Sequence, residues 1–335
     1  MNSYYIGKKG IIMEKKSNQF LRFIRNTLLT IGGLVLIWMG INFAFSMYER
    51  NTYKAPGTLV EVDGRKMHVY QRGEGPHTII LLSGLGTAAP VLDFEPLIER
   101  LSKHNKVVVV ESFGYGYSDI TNKARSVENI ASEIRSALQV AGIKGPYILM
   151  PHSVSGIYAT YYANAYPEEV EAIIGIDSTL PRMCDYFEEA APTMPAMMKY
   201  FAPSGLARLL LLLDEGSYLP VNDDKVYAEV NLRQTRAIFA WKAFNKNIVA
   251  ETNEMGKNLE KTLNMGFDKK LPVLMFVKEN KKVREDGKTS RSFYETYLAG
   301  LENGKYIPLE GNHYLHWTNS ERIGDEVESF IAEWN

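Results

Sequence analysis

Short apolar runs alternate with segments of helical spacing along most of this chain, from residue 58 onward. The runs are rich in β-branched residues, which is typical of buried strands. They predict strands at 59–62, 66–70, 78–82, 106–111, 147–150, 170–176, 271–277 and 305–309. Helical spacing follows several of them, as with Ile130, Ile134 and Leu138 after the capping residue Ser126. Strands that alternate with helices predict a mostly parallel sheet with helices on both faces.

A long segment, 178–270, separates the sixth and seventh strands and contains few strand signals. It is rich in Leu, Met, Ala and Phe, and a connection of this length without secondary structure would be anomalous. We therefore predict a helical insertion at 178–270 between two parts of one α/β core, 58–177 and 271–335.

The N-terminal part of the chain has a different pattern. Residues 28–45 are apolar and uncharged, which predicts a transmembrane helix at 28–46 and a linker at 47–57. The basic residues that precede the apolar run are Lys8, Lys9, Lys15, Lys16, Arg22 and Arg25. By the positive-inside rule they predict that segment 1–27 is cytoplasmic and that the remaining domain lies outside a cell membrane.

Two other interpretations of the apolar run stay open. A cleaved secretory signal usually has a shorter apolar core and a small-residue cleavage site, which Ala44-Phe45-Ser46 does not provide. A buried core helix would show amphipathic periodicity, which is absent here. Translation starts at Met1 or at Met13, and the sequence does not decide between them.

A serine stands where the fifth predicted strand gives way to a helical run, in the segment 151–156 (PHSVSG). At the tip of such a turn a serine has a strained backbone and a hydroxyl group that projects outward. Ser155 is small enough for a sharp turn, whereas Pro151 departs from the usual G-x-S-x-G because it fixes φ and lacks an N–H. Ser153 is therefore a candidate nucleophile, and an ordinary polar loop is the alternative.

A serine nucleophile needs an imidazole within hydrogen-bond reach to take its proton. His313 follows the last predicted strand in the turn Gly311-Asn312-His313, and it is the preferred base. His316, three residues further along, is the alternative base, and its other interpretation is a packing or surface histidine.

Residues from about 55 to 335 resemble an α/β-hydrolase-fold serine hydrolase. The resemblance depends on the turn at 151–156, the glycine-rich turn at 83–86, the order Ser153 then His313, and the motif at 113–119 (FGYGYSD). It implies an α/β-hydrolase fold in which 178–270 forms a helical cap over the nucleophile between strands 6 and 7. It also implies a structural role for His152.

The same resemblance implies an oxyanion hole made of backbone N–H groups. The N–H of Val154, at the start of a helix, and that of Leu85 are the expected donors. Leu85 follows from matching Ser83-Gly84-Leu85 to the H-G-x of the family, from which Ser83 departs.

The acid that orients the base is ambiguous. Most of the family place an aspartate after strand seven in G-x-x-D, where this chain has Lys281. Glu279 is close by and has suitable chemistry, whereas Asp177 ends strand six, the other known location. Lacking the strand-seven aspartate, we prefer Asp177 and keep Glu279 as the alternative acid. Two further acids in the same loop are Glu285 and Asp286.

Composition excludes several function classes. A net charge of −1 over 335 residues gives no basic footprint, so we expect no nucleic-acid partner. The single cysteine, Cys184, excludes an internal disulfide and a cysteine metal cluster, and the chain has no H-E-x-x-H. We therefore expect no metal and no cofactor. The expected partners are a small-molecule substrate and the membrane.

Two function classes remain. The first is a membrane-anchored serine hydrolase that cleaves a carboxylic ester of a lipid-like or other small acyl substrate, or else a small peptide or aminoacyl bond. A cofactor-free haloperoxidase and a proline-releasing aminopeptidase also belong to this class. The second is a non-catalytic binding protein. This interpretation stays open because Pro151, Ser83 and Lys281 depart from the motifs of the family. Ser153 and His313 in register favour catalysis.

Overall fold

The computed structural model describes residues 3–220, 225–279 and 284–334, with side chains from residue 18 onward. Lys281, at the acid position expected from the family, lies outside the described residues. The side chains of Met1, of Met13 and of the N-terminal lysines also lie outside them.

The chain begins with one long helix, α1 (Ser3–Thr52). Its segment Asn18–Thr52 is long and apolar enough to cross a membrane, and only 6% of its apolar stretch is buried inside the protein. The helix continues well past the predicted end at 46, so the extended connection to the core is shorter than the linker predicted at 47–57. The additional turns are held against the rest of the molecule, since Glu49 pairs with Arg208 and Arg50 lies over Trp241.

The core contains an eight-stranded sheet in the order β1-β2-β4-β3-β5-β6-β7-β8. Its strands are β1 (Thr58–Val62), β2 (Arg65–Arg72), β3 (Thr78–Leu82), β4 (Lys106–Glu111), β5 (Tyr147–Pro151), β6 (Val170–Ile176), β7 (Val273–Lys278) and β8 (Gly304–Leu309). Only β2 pairs in an antiparallel sense with its neighbours β1 and β4, and all other pairs are parallel. The β1–β2 hairpin turns at Asp63 and Gly64, both with positive φ, which is typical of an Asp-Gly turn.

Helices cover both faces of the sheet. They are α2 (Pro90–Asp93), α3 (Glu95–Leu101), α4 (Val127–Val140), α5 (Ser155–Ala165), α6 (Met183–Phe187), α7 (Phe201–Ser204), α8 (Leu206–Leu213), α9 (Glu229–Lys242), α10 (Lys246–Thr262), α11 (Ser290–Leu298) and α12 (Ser320–Trp334). Helices α4, α5 and α11 bury apolar side chains such as Ile134 and Ile157 on one face. Helices α2, α3 and α12 bury others, such as Leu97 and Val327, on the opposite face. The predicted α/β-hydrolase fold is confirmed.

The insertion between β6 and β7 is helical, as predicted, and it contains α6 to α10. Parallel strands present their carboxyl ends at one edge of a sheet, so the residues that follow β5, β6 and β8 meet there. The segments after these strands carry Ser153, Asp177 and His313, respectively. The fold therefore brings the three side chains to one place, under the cap.

Candidate active site

Ser153 lies in a sharp turn between β5 and α5, with φ of 55°, a left-handed conformation that costs a side-chain-bearing residue some strain. Backbone hydrogen bonds compensate for it. The N–H of His152 donates to Leu82 O at 2.8 Å, and the N–H of Ser153 donates to Ile176 O at 3.1 Å. Pro151 lacks an N–H, but its carbonyl accepts the Ser178 hydroxyl at 2.7 Å. The turn therefore tolerates the proline.

Ser153, His313 and Asp177 form one hydrogen-bonded series. The hydroxyl oxygen of Ser153 is 2.7 Å from Nε2 of His313, and Nδ1 of the same ring is 2.6 Å from Oδ2 of Asp177. The backbone N–H of Lys278 donates to the other carboxylate oxygen of Asp177 at 3.1 Å. An imidazole held between a hydroxyl and a carboxylate has the arrangement that activates a serine.

The alternative acids lie elsewhere. The backbone N–H of Glu279 donates to Leu309 O at 2.9 Å, which extends the pairing of β7 with β8, and the Glu279 side chain is exposed. Asp286 pairs with Arg284 and Lys288. Within the described ranges neither of these acids contacts His313, so Asp177 is the carboxylate that the structure places on the ring.

The two other histidines of the site are buried. His316, the alternative base, places its Nε2 2.7 Å from Oδ2 of Asp93, and Trp317 donates to the other oxygen of the same carboxylate at 2.8 Å. It is thus directed away from Ser153. His152 donates from Nε2 to the carbonyl of His313 at 3.0 Å. Complete burial lowers the pKa of His152 well below its ordinary value, and nearby His316 and His313 lower it further, so the neutral ring holds the backbone of His313 through this hydrogen bond.

The two expected oxyanion donors, Leu85 and Val154, lie in the turns that follow β3 and β5. Among the residues that the structure describes, neither Leu85 nor Val154 donates its backbone N–H to a protein acceptor. The turn that carries Leu85 approaches the serine closely, since a Cβ added at Gly84 would lie 2.9 Å from Cβ of Ser153. Ser155 donates its hydroxyl to the carbonyl of Ser83 and so ties this turn to the start of α5.

Comparison with known proteins is consistent with this geometry. A family model described as the alpha/beta hydrolase fold matches residues 77–213. An uncharacterised protein of Bacillus subtilis, YbdG, is 30% identical over 318 residues, which cover 90% of this chain and 95% of YbdG. The chain belongs to the α/β-hydrolase family.

More distant similarities agree with this assignment. The 2-(acetamidomethylene)succinate hydrolase of Mesorhizobium japonicum is 28% identical over 36% of this chain and 42% of its own. Among solved structures, an epoxide hydrolase of Vigna radiata superposes with a TM-score of 0.64 at 16% identity, covering 83% of this chain and 97% of that one. At this identity the structural likeness shows the fold alone.

A buried polar network that was not predicted from the sequence joins the α/β-hydrolase core to its cap. Glu251 on α10 accepts hydrogen bonds from Tyr115 at 3.0 Å and from Tyr158 at 2.8 Å. The Tyr115 hydroxyl in turn accepts the N–H of Gly86, in the turn that carries Leu85, at 3.3 Å. Burial raises the pKa of Glu251, and the charge of Arg125 partly opposes this. The network connects the cap to the turn that carries Leu85.

A signal for this network was present in the sequence. Buried residues of α10 recur at Ile248, Glu251, Thr252 and Met255, the spacing of one helix face. An acid on such a face requires buried donors, which two tyrosines of the core supply. The two tyrosines lie far from Glu251 along the chain, so only the fold brings them to it.

A cleft of about 310 Å³ opens beside His313. Met183, Phe187 and Tyr294 give it an apolar side, and Arg284 and Lys288 line it as well. Both cations are paired with acids of the same region, namely Glu188, Glu189 and Asp286. The volume is in the range of small-ligand pockets.

Candidate metal ligands are not clustered here. In the described part of the chain, no group of three or more His, Cys, Asp or Glu side chains could hold a metal ion. Cys184 is half-buried and free, and burial raises the pKa of its thiol.

Proposed function

We propose that this protein is a membrane-anchored serine hydrolase that cleaves a carboxylic ester by acyl transfer. The observation that carries the proposal is the series from the Ser153 hydroxyl through His313 to Asp177, with donor distances of 2.7 and 2.6 Å. Among the described residues, the side chains of this series have one further hydrogen-bond partner, the Lys278 N–H on Asp177.

The chemistry follows from the geometry. The Ser153 oxygen attacks the ester carbonyl carbon while Nε2 of His313 takes the hydroxyl proton. Asp177 accepts the Nδ1–H and so holds the ring in the tautomer whose Nε2 is free to act as a base. The N–H groups of Leu85 and Val154 stabilise the oxyanion of the tetrahedral intermediate.

The intermediate collapses when the C–O bond of the alcohol breaks and the imidazolium of His313 protonates the leaving oxygen. Water, deprotonated by the same imidazole, then attacks the acyl-serine. The second tetrahedral intermediate releases the carboxylic acid and returns the proton to Ser153. Each step uses one proton, which His313 holds between steps.

An amide or carbamate substrate is the second candidate. It is favoured by the Mesorhizobium japonicum relative, a hydrolase of 2-(acetamidomethylene)succinate, which is an acetamido compound. The same residues would serve, with an amine in place of the alcohol as the leaving group. A non-catalytic role is the third, and it is disfavoured because the departures at Pro151 and Ser83 leave the turn and the serine–histidine contact in place.

The test compares the hydrolysis of short-chain esters, long-chain esters and aminoacyl amides by the full chain in detergent. The full chain is needed because α1 contacts the cap through Glu49 and Arg208. We expect ester hydrolysis that a fluorophosphonate abolishes. Exclusive turnover of amides would favour the second candidate, and absence of both turnover and labelling would contradict catalysis altogether.

We further propose that α1 anchors the protein in a cell membrane with its N-terminus in the cytoplasm. The anchor is supported by the apolar segment within Asn18–Thr52, and the orientation is supported by the basic residues before it.

Protease added to intact cells is expected to digest the hydrolase domain and leave a short protected N-terminal fragment. A domain that is digested only after the cells are lysed would contradict the orientation.

A further inference from the structure

Part of the cap surface is apolar and exposed. Two helical segments, Ala196–Ser204 and Leu206–Leu213, meet at an angle of 80° and together are apolar enough to resemble a broken membrane span. We call them the cap elbow. Its most exposed large apolar side chains are Met197, Leu212 and Leu213, at 70%, 75% and 83%. Side chains of this size and exposure are unusual on a surface that faces water.

The cap elbow packs directly against α1. Its corner is Gly205, with φ of 80°. A Cβ added there would lie 2.4 Å from Nε1 of Trp38 and 3.1 Å from Cβ of Asn42. Only a glycine allows the backbone of the corner to approach these two side chains so closely. The corner of the cap elbow therefore lies level with Trp38 and Asn42 of α1.

Polar groups of α1 find their partners in the cap elbow. Asn42, only 3% exposed, donates to the carbonyl of Ala202 at 3.1 Å and accepts from Nε of Arg208 at 3.1 Å. Arg208 also forms a bidentate pair with Glu49, with both distances 2.7 Å. In a lipid environment an amide without such partners would be costly. These contacts fix the cap elbow to one position along α1.

The position of α1 in a bilayer determines the depth of the cap elbow. A span requires about 20 apolar residues, and counting back from Phe45 reaches Asn26, next to Arg25. A shift of the membrane span toward the N-terminus of α1 would place Arg25 and Arg22 in hydrocarbon, which is unfavourable. Trp38 precedes Phe45 by seven residues, which is about 10 Å at the rise of an α-helix. The corner of the cap elbow, level with Trp38, therefore lies about 10 Å inside the C-terminal end of the span.

We propose that the cap elbow is embedded in the lipid leaflet that surrounds the C-terminal end of α1, so that the bilayer covers Met197, Leu212 and Leu213. This inference rests on the proposed anchoring by α1. The charged side chains of the cap elbow are compatible with it. Arg208 is neutralised by Glu49, and the Lys199 ammonium lies 5.2 Å from the Tyr200 ring, on a flexible stem that can reach the headgroups.

The experiment uses the full chain in vesicles of phosphatidylcholine and phosphatidylglycerol. In a Cys184→Ser background, single cysteines carry an environment-sensitive fluorophore, and phosphatidylcholine with a nitroxide on its acyl chain acts as the quencher. Leu212→Cys reports on the cap elbow, and Leu36→Cys, at an exposed position of α1, reports on the anchor. Val140→Cys is the matched control, because Val140 is exposed at the C-terminal end of α4, which leads to the start of β5, whereas the cap follows the carboxyl end of the parallel strand β6.

We expect quenching at Leu212→Cys comparable with that at Leu36→Cys, and an unquenched signal at Val140→Cys. Quenching at Leu36→Cys without quenching at Leu212→Cys would overturn the cap-elbow inference and leave the anchor intact. An unquenched Leu36→Cys would overturn both. Equal quenching at all three positions would show non-specific association of the domain with lipid and would also overturn the inference.

Discussion

Replacement of Ser153 by alanine is expected to lower kcat for ester hydrolysis by about 10⁶-fold and to abolish labelling by a fluorophosphonate. His313→Ala is expected to cost about as much, and the double variant no more than either single one. The physical reason is that the hydroxyl and the imidazole 2.7 Å away act as a unit, so the loss of either removes the same nucleophile. The measurement is kcat of the three variants, together with mass-spectrometric identification of the labelled residue.

Ser155→Ala is the matched control for the first prediction. Ser155 is two residues away and donates its hydroxyl to the carbonyl of Ser83. The loss of one neutral hydrogen bond costs about 1 kcal/mol, so kcat should fall by no more than about tenfold. Labelling that persists in Ser153→Ala, or that maps to Ser155, would show that Ser153 is not the nucleophile. Additive losses for Ser153 and His313 would show that they do not act together.

The second prediction concerns the acid. Asp177→Asn is expected to lower kcat by about 10⁴-fold, because an amide no longer favours the tautomer of His313 that leaves Nε2 free to accept the serine proton. Glu279→Gln should leave kcat nearly unchanged, since this exposed side chain has no contact with His313. Both variants are compared with the wild type by steady-state kinetics.

A folding control accompanies the second prediction. Asp177 also accepts the Lys278 N–H at 3.1 Å, and the asparagine retains an oxygen for that bond. Thermal unfolding of Asp177→Asn should therefore be close to that of the wild type. A strong loss of kcat in Glu279→Gln with a mild loss in Asp177→Asn would reverse the assignment.

The C-terminal end of helix α1 could not be predicted from the local sequence. The apolar run at 28–45 marked the membrane-compatible part of α1, but the helix extends to Thr52. Segment 47–52 contains no helix terminator, and its helical state is stabilised by contacts of Glu49 with Arg208 and of Arg50 with Trp241. Such partners are far away along the chain, so their effect on the end of the helix is not visible locally.

The choice of acid depended on sheet order. Glu279 and Asp177 are both carboxylates at strand ends, and the sequence made them comparable candidates. In the fold, β6 lies directly beside β5, so the residue after β6 lies next to the turn that carries Ser153. The backbone of Glu279 is bound to that of Leu309 in β8, and its side chain points to solvent. The order of the strands, and not the residue type, decides which of the two carboxylates, Asp177 or Glu279, reaches His313.

The sequence by itself determined the elements that local periodicity encodes. These are the strands and helices of an α/β-hydrolase core, the helical cap, the apolar helix, and the turns that carry Ser153 and His313. The tertiary structure alone decided which carboxylate meets His313, that His316 is bound to Asp93, that Glu251 joins the cap to the turn that carries Leu85, and that the cap elbow packs on α1. The physical reason is that periodicity is set by near neighbours in the chain, whereas these contacts join residues that only the packed fold brings together.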